Sequence, residues 1–153
     1  MIYQLQQKIE LAISLTEAWK FFSDPKNLEL LTPPNLGMKI PSDVPGDIYP
    51  GMIVKYRITP LLSIPLTWVT EITHVKREQM FVDEQRYGPY RMWHHQHLFI
   101  PTERGVVVQD IVDYIMPFGP LGAVIHSLIV AGQLKQIFEF RANALRSRFA
   151  SFD

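Results

Sequence analysis

The stretch Tyr90–Met116, YRMWHHQHLFIPTERGVVVQDIVDYIM, carries three of the chain's five histidines within four positions, and its reading decides the fold. Gly88-Pro89 precedes it and the segment from Pro101 to Gly105 interrupts it. It therefore reads as two strands, Tyr90 to Ile100 and Val106 to Met116, joined by a tight turn. Strand side chains alternate between faces, so Trp93, His95, His97 and Phe99 share one face, while His94 and Gln96 point the other way toward solvent. A turn centred on Glu103-Arg104 sets the register. Thr102 then faces Gly105, Phe99 faces Val108, His97 faces Asp110, His95 faces Val112 and Trp93 faces Tyr114. Directly opposed residues share a face and lie ~5 Å apart. Buried imidazoles need hydrogen-bond partners or a ligand. His97 is expected to donate to Asp110. His95 is expected to donate to Asp83 or Gln85 of the preceding strand, provided that the Gly88-Pro89 turn pairs odd with odd residues.

Working outward, Gln79 to Tyr87 reads as the strand before, and short turns make these three strands an antiparallel meander. Met52 to Thr59 and Thr67 to Val75 are further strands, with an apolar loop from Pro60 to Pro65 between them. At the N-terminus, Tyr3, Leu5, Ile9, Leu11 and Ile13 alternate with polar residues, as a half-buried strand does. Ser14 or Thr16 can cap a helix with Glu17 in its first turn and Ala18, Trp19 and Phe22 on its apolar face. Asp24-Pro25 ends that helix and opens a second short one through Leu31. Gly37 to Gly51 is Pro-rich and predicts a weak strand with long turns. After the Pro117-Phe118-Gly119-Pro120 break, with Pro120 placed as the first helical residue, no proline follows up to Phe149. Leu121, Val124, Ile125, Leu128, Leu134, Ile137, Phe138, Leu145 and Phe149 recur at helical spacing. They predict one helix of ~43 Å at ~1.5 Å per residue, with Gly122 and Gly132 as points of bending or close packing.

Composition narrows the function. A chain of 153 residues with 47% hydrophobic content predicts one domain, residues 1–153, with a full core. Fifteen basic residues balance fifteen acidic ones, without a basic stripe, so nucleic acid is not an expected partner. The absence of cysteine excludes disulfides and thiolate chemistry and fits a cytoplasmic location. No signal peptide and no run of 18 or more apolar residues is visible, so no membrane span is expected.

The order of strand, two short helices, antiparallel strands and one long C-terminal helix resembles the START-like superfamily, also called SRPBCC or Bet v 1-like. Trp19 to Pro25, Leu31-Thr32-Pro33, Trp68 with Ile72, Phe81-x-Asp83, Gly88-Pro89, Trp93-x-His95-x-His97-x-Phe99, Asp110-x-Val112-x-Tyr114 and Pro117-x-Gly119-Pro120-Leu121 carry the likeness. The local pattern is similar to a bacterial ligand-binding branch of unassigned substrate. The resemblance implies an α+β helix-grip fold, a curved antiparallel sheet wrapped around the long helix with a pocket between them. It includes lipid carriers, polyketide cyclases, co-chaperones and receptors, so fold alone does not choose a function.

On that frame the polar face reads as a pocket wall, preferred over a filled core. The candidate ligand-binding residues are Trp68, Asp83, Gln85, Trp93, His95, His97, Phe99, Asp110, Tyr114 and Leu128. The expected ligand is a small hydrophobic molecule such as a lipid, polyketide or aromatic metabolite. A cyclase- or dehydratase-like enzyme using His95, His97 and Asp110 as an acid-base set is the alternative. A third reading is an interaction domain with a closed core, in which the apolar loop 60–65 and the helix face form a partner site; loop packing on a neighbouring subunit would make a homodimer. His-x-His with Asp110 could offer three metal ligands. Against that, the histidine Cα atoms lie ~6.8 Å apart on a strand, and a carboxylate opposite a histidine is more often its hydrogen-bond partner. Neither metal nor cofactor is therefore expected. Arg57, Arg86 and Arg91 read as outer-face residues, and His74 and His126 as bystanders.

Overall fold

The computed structural model describes residues 1–61 and 64–149. The strands are β1 (Tyr3–Leu11), β2 (Met52–Leu61), β3 (Ile64–Lys76), β4 (Met80–Tyr87), β5 (Met92–Pro101) and β6 (Val106–Ile115). They form one antiparallel sheet in the order β1-β6-β5-β4-β3-β2. Register shifts at Ile58/Leu61, Val69/Thr70 and Ile72/His74 bend the β2–β4 half, as bulges do, and curve the sheet. The strands flanking the loop expected at 60–65 run further than predicted, through Pro60, Leu61, Ile64 and Pro65; Leu62 and Ser63 lie outside the described residues.

Helix α1 (Leu15–Phe22) starts at Ser14, not Thr16. The Ser14 hydroxyl accepts from the Glu17 amide while the Glu17 carboxylate accepts from the Ser14 amide, a reciprocal cap. A 3-10 helix over Pro25–Leu31 follows, capped by Asp24, and a shorter one over Pro34–Leu36. The weak strand expected at 37–51 reduces to one bridge, Lys39 with Arg57. Prolines remove ladder donors there.

The long helix α2 runs unbroken over Gly119–Arg148, so Pro120 is its second residue. It contains a π turn at His126–Val130, which the hydrophobic spacing did not foretell. Val130, Leu134, Phe138, Ala142 and Leu145 go inward, while Leu121, Val124, Leu128 and Ile129 face out. By length and hydropathy alone this helix could cross a bilayer. Val130, Leu134, Phe138, Ala142 and Leu145 on its inward stripe belong to the hydrophobic core. Trp19, Phe22, Phe81 and Phe99 close one end of the core edge to face.

Candidate functional site

The β5–β6 turn forms as the sequence requires. Thr102 N donates to Gly105 O, and Phe99, His97, His95 and Trp93 face Val108, Asp110, Val112 and Tyr114. The β4–β5 register is odd to odd, with Phe81 opposite His97 and Asp83 opposite His95. Asp83, His95, His97 and Asp110 thus share the helix-facing side of the middle strands. Each expected hydrogen bond, however, runs diagonally. His95 Nε2 lies 2.8 Å from Asp110 Oδ1, and His97 Nε2 lies 2.7 Å from Asp83 Oδ2. His97 Nδ1 is 3.1 Å from Asp110 Oδ1, in ion-pair contact but off the line of a hydrogen bond. The rings lean together, 3.8 Å between centroids, and that tilt exchanges the partners.

Arg141 completes the cluster. It projects from α2, buried, and its Nη1 donates to Asp110 Oδ1 across 3.1 Å. The sequence reading missed it, although its position is on the stripe of Leu134, Phe138, Ala142 and Leu145. A basic residue on an apolar stripe was the available signal. Asp110 is 1% exposed. Burial alone would raise its pKa, but the Arg141 charge and the two histidines hold it well below the usual carboxylate range. Asp83 is likewise lowered, with the imidazoles overcoming its burial. Burial and the neighbouring His97 push His95 down. His97 is pushed down by burial but net raised by its two carboxylates.

Between sheet and helix lies a cavity of about 430 Å³. Its walls are largely apolar, including Phe22, Leu31, Val54, Ile58, Leu66 and Leu134. Tyr56, Trp68, Tyr90 and Trp93 add an aromatic side, with Trp68 set edge-on to Trp93 at 5.4 Å. Asp83, His95, His97 and Arg141 form its polar end. Trp68 Nε1 is buried without a hydrogen-bond partner among the described residues. Tyr56 and Thr70, also unforeseen, share a hydrogen bond on the same wall.

Of the expected lining residues, Trp68, Asp83, Trp93, His95 and His97 border the cavity. Asp110 sits behind the histidines. Phe99 is packed against Trp19 and Phe22 in the core. Gln85 turns back to brace the β4–β5 turn, bonded to both backbone groups of Tyr90. Tyr114 is bonded to His126. Leu128 is 77% exposed on the outer side of α2, off the stripe of Val130, Leu134 and Phe138. His126 and His74 lie outside the polar cluster; His126 bonds Tyr114, and His74 contacts the hydroxyl of its neighbour Thr73. Arg86 pairs with Glu71 and Glu84, and Arg57 and Arg91 are exposed. His94 meets Glu84.

Compared by sequence, the chain matches no family model and no curated protein. Compared by structure, it is similar to protein Ms6760 from Mycobacterium smegmatis, at 19% identity and TM-score 0.65, covering 95% of this chain and 92% of that one. It is similar to Ara h 8.0201, at 14% identity and TM-score 0.65, covering 96% and 99%. It is also similar to norcoclaurine synthase from Thalictrum flavum, solved with dopamine and hydroxybenzaldehyde, at 18% identity and TM-score 0.64, covering 97% and 86%. The fold is Bet v 1-like, the helix-grip fold of the SRPBCC proteins. At these identities the likeness carries the architecture of the Bet v 1-like chain and not its chemistry.

Proposed function

We propose that this Bet v 1-like chain binds a small, mostly apolar molecule between its sheet and long helix. The observation that carries the reading is the cavity itself. Its size falls within the ~300–1,000 Å³ of small-molecule sites, and its walls are apolar with a few convergent polar groups at one end. The aromatic side and the free Trp68 N–H favour a planar or aromatic ligand with a hydrogen-bond acceptor over a plain acyl chain. A ligand burying about 300 Å² of apolar surface gains ~7.5 kcal/mol at ~25 cal/mol per Å². Micromolar affinity is then within reach without charge matching, once rigid walls keep ordering costs low. The norcoclaurine synthase structure, with two small aromatic molecules bound, supports aromatic ligands. A cytoplasmic location belongs to the same proposal.

The enzymatic alternative has its own support. The Asp83–His97 pair opens on the cavity, where a bound carbonyl compound could exchange a proton with it. The pair that reaches the cavity is therefore not the His97–Asp110 pair of the sequence reading.

Titration with a fluorescent apolar probe tests the binding reading. Val54→Trp and Val130→Trp enlarge residues that line the cavity. Saturable binding to the parent, lost in both variants with their folds intact, is the expected result. Equal binding in all three would mean that the probe sits on the surface, and the proposal would fall.

A further inference from the structure

Asp110 imposes a proton arrangement on the polar end of the cavity. An ionised carboxylate only accepts, so His95 Nε2, bonded to Asp110, carries a hydrogen and the neutral ring presents the lone pair of its Nδ1. His97 Nε2, bonded to Asp83, carries the proton that an ion would displace. His95 Nδ1 and His97 Nε2 both face Asp83 Oδ2, at 3.6 and 2.7 Å. Three electron-pair donors converge on one point at the cavity wall, within 4.8 Å of one another. Such a triad needs a positive charge among its members, either a proton or a metal ion. We propose that Asp83, His95 and His97 form a binding site for a divalent transition-metal ion, with its open coordination positions toward the cavity.

Donor chemistry and geometry agree with this. Two imidazoles and one carboxylate suit zinc or ferrous iron better than calcium or magnesium. Bond lengths of ~2.0–2.2 Å around a tetrahedral ion place ligand atoms ~3.3 Å apart. The 3.6 and 2.7 Å separations from Asp83 bracket that value, and with all three ligand atoms within 4.8 Å of one another the rings and the carboxylate close around the ion as it enters. The proton held between His97 and Asp83 leaves as the ion enters. Strand spacing argued against chelation by His95 and His97, but the 3.8 Å ring separation removes that objection. Asp110, weighed from sequence as a third ligand, instead bonds the His95 ring from behind and contacts that of His97, as carboxylates behind zinc-bound histidines do, and Arg141 fixes it. Two carboxylates against one arginine leave one negative charge for the ion to offset. The inference is independent of ligand binding, since a metal could occupy the triad with the rest of the cavity empty.

Titrate the chelator-treated full chain with Co²⁺, following visible absorption, and then displace it with Zn²⁺. A single equivalent should bind, with the intense bands of a low-coordinate nitrogen-oxygen site. Asp83→Ala and His95→Ala should abolish the spectrum, and Asp110→Asn should weaken affinity by ~10–100-fold. His94→Ala and His74→Ala, which change exposed-face histidines, should leave it intact. If an alanine variant does not fold, the near-isosteric Asp83→Asn takes its place and should lower the affinity. Absence of saturable binding in the parent overturns the proposal. So does binding that survives in folded Asp83 and His95 variants, which would indicate an adventitious surface ion. Probe titration of the same chelated protein reports separately on the ligand reading.

Discussion

Arg141 Nη1 lies 3.1 Å from Asp110 Oδ1, and this one bond ties the long helix to the middle of the sheet. Both residues are buried, and the same oxygen accepts from His95. Removing one side of such an arrangement strands the other charge. Asp110→Ala is expected to cost about 3–5 kcal/mol, beyond the loss of a single histidine bond, because Arg141 is left unpaired in the core. Replacing both members, as Asp110→Leu with Arg141→Met, should cost less than the single change. Denaturant unfolding of the three variants checks this. A single-variant loss below ~1 kcal/mol would mean that water reaches the pair.

The two walls of the cavity make different predictions for helix substitutions. Gly132 looks from its spacing like a small residue against the sheet. It is in fact exposed, and a side chain added there meets nothing within 4 Å. Gly132→Phe should therefore leave probe affinity within about twofold of the parent, whereas Val130→Trp should lose at least tenfold, ~1.4 kcal/mol. Equal losses at both positions would place the probe elsewhere on the helix.

Those two positions show where sequence reading reaches and where it stops. Period-two alternation, together with one short turn, was enough to place Trp93, His95, His97, Asp110 and Tyr114 on one face with their partners opposite. A strand has only one way to alternate once its turn is fixed. Ring tilt is set by packing, so which carboxylate each histidine bonds was not legible. The helix was legible as a helix but not its facing: Leu121, Val124 and Leu128 recur at helical spacing among themselves yet face out, on a different side from Leu134 and Phe138. The π turn at 126–130 adds to this by breaking uniform spacing between the two halves. Arg141 lies on the same stripe as Leu134, Phe138 and Ala142, and an apolar count along that stripe passes over it.

The register itself can be tested at Gly105. A Cβ there would lie 2.1 Å from the Leu11 carbonyl oxygen of the neighbouring edge strand. That is backbone, so it cannot swing aside. Gly105→Ala should destabilise by ~1–3 kcal/mol, through overpacking. The turn that aligns His97 with Asp110 would shift with it. Thermal unfolding gives the magnitude, and a loss of probe binding in the folded variant would show that the shift reaches the cavity. A neutral substitution would contradict the close approach of β1 and the turn.

The last prediction concerns His126, at the first position of the π turn. Its Nε2 lies 2.8 Å from the Tyr114 hydroxyl, and its ring stacks on Tyr3 at 3.6 Å between centroids. Burial pushes its pKa below the ordinary 6.5. The hydroxyl donates to a neutral ring, and protonation of Nε2 removes that acceptor. The groups packed on it, Tyr3 and Tyr114, are aromatic rings and not carboxylates or basic groups. The sign follows from proton counts. Below 6.5 the unfolded chain binds a proton at this site that the folded chain still refuses, so stability falls as pH falls. The contribution is fully present above the unfolded value and fully lost below the folded one. His95 is also pushed down and His97 up, so the informative quantity is a difference. Between about pH 7.5 and 5 the parent should lose more stability than His126→Gln, which keeps a polar side chain but cannot titrate. Parallel melting profiles for the two proteins would show that His126 is as free to protonate in the folded chain as in the unfolded one.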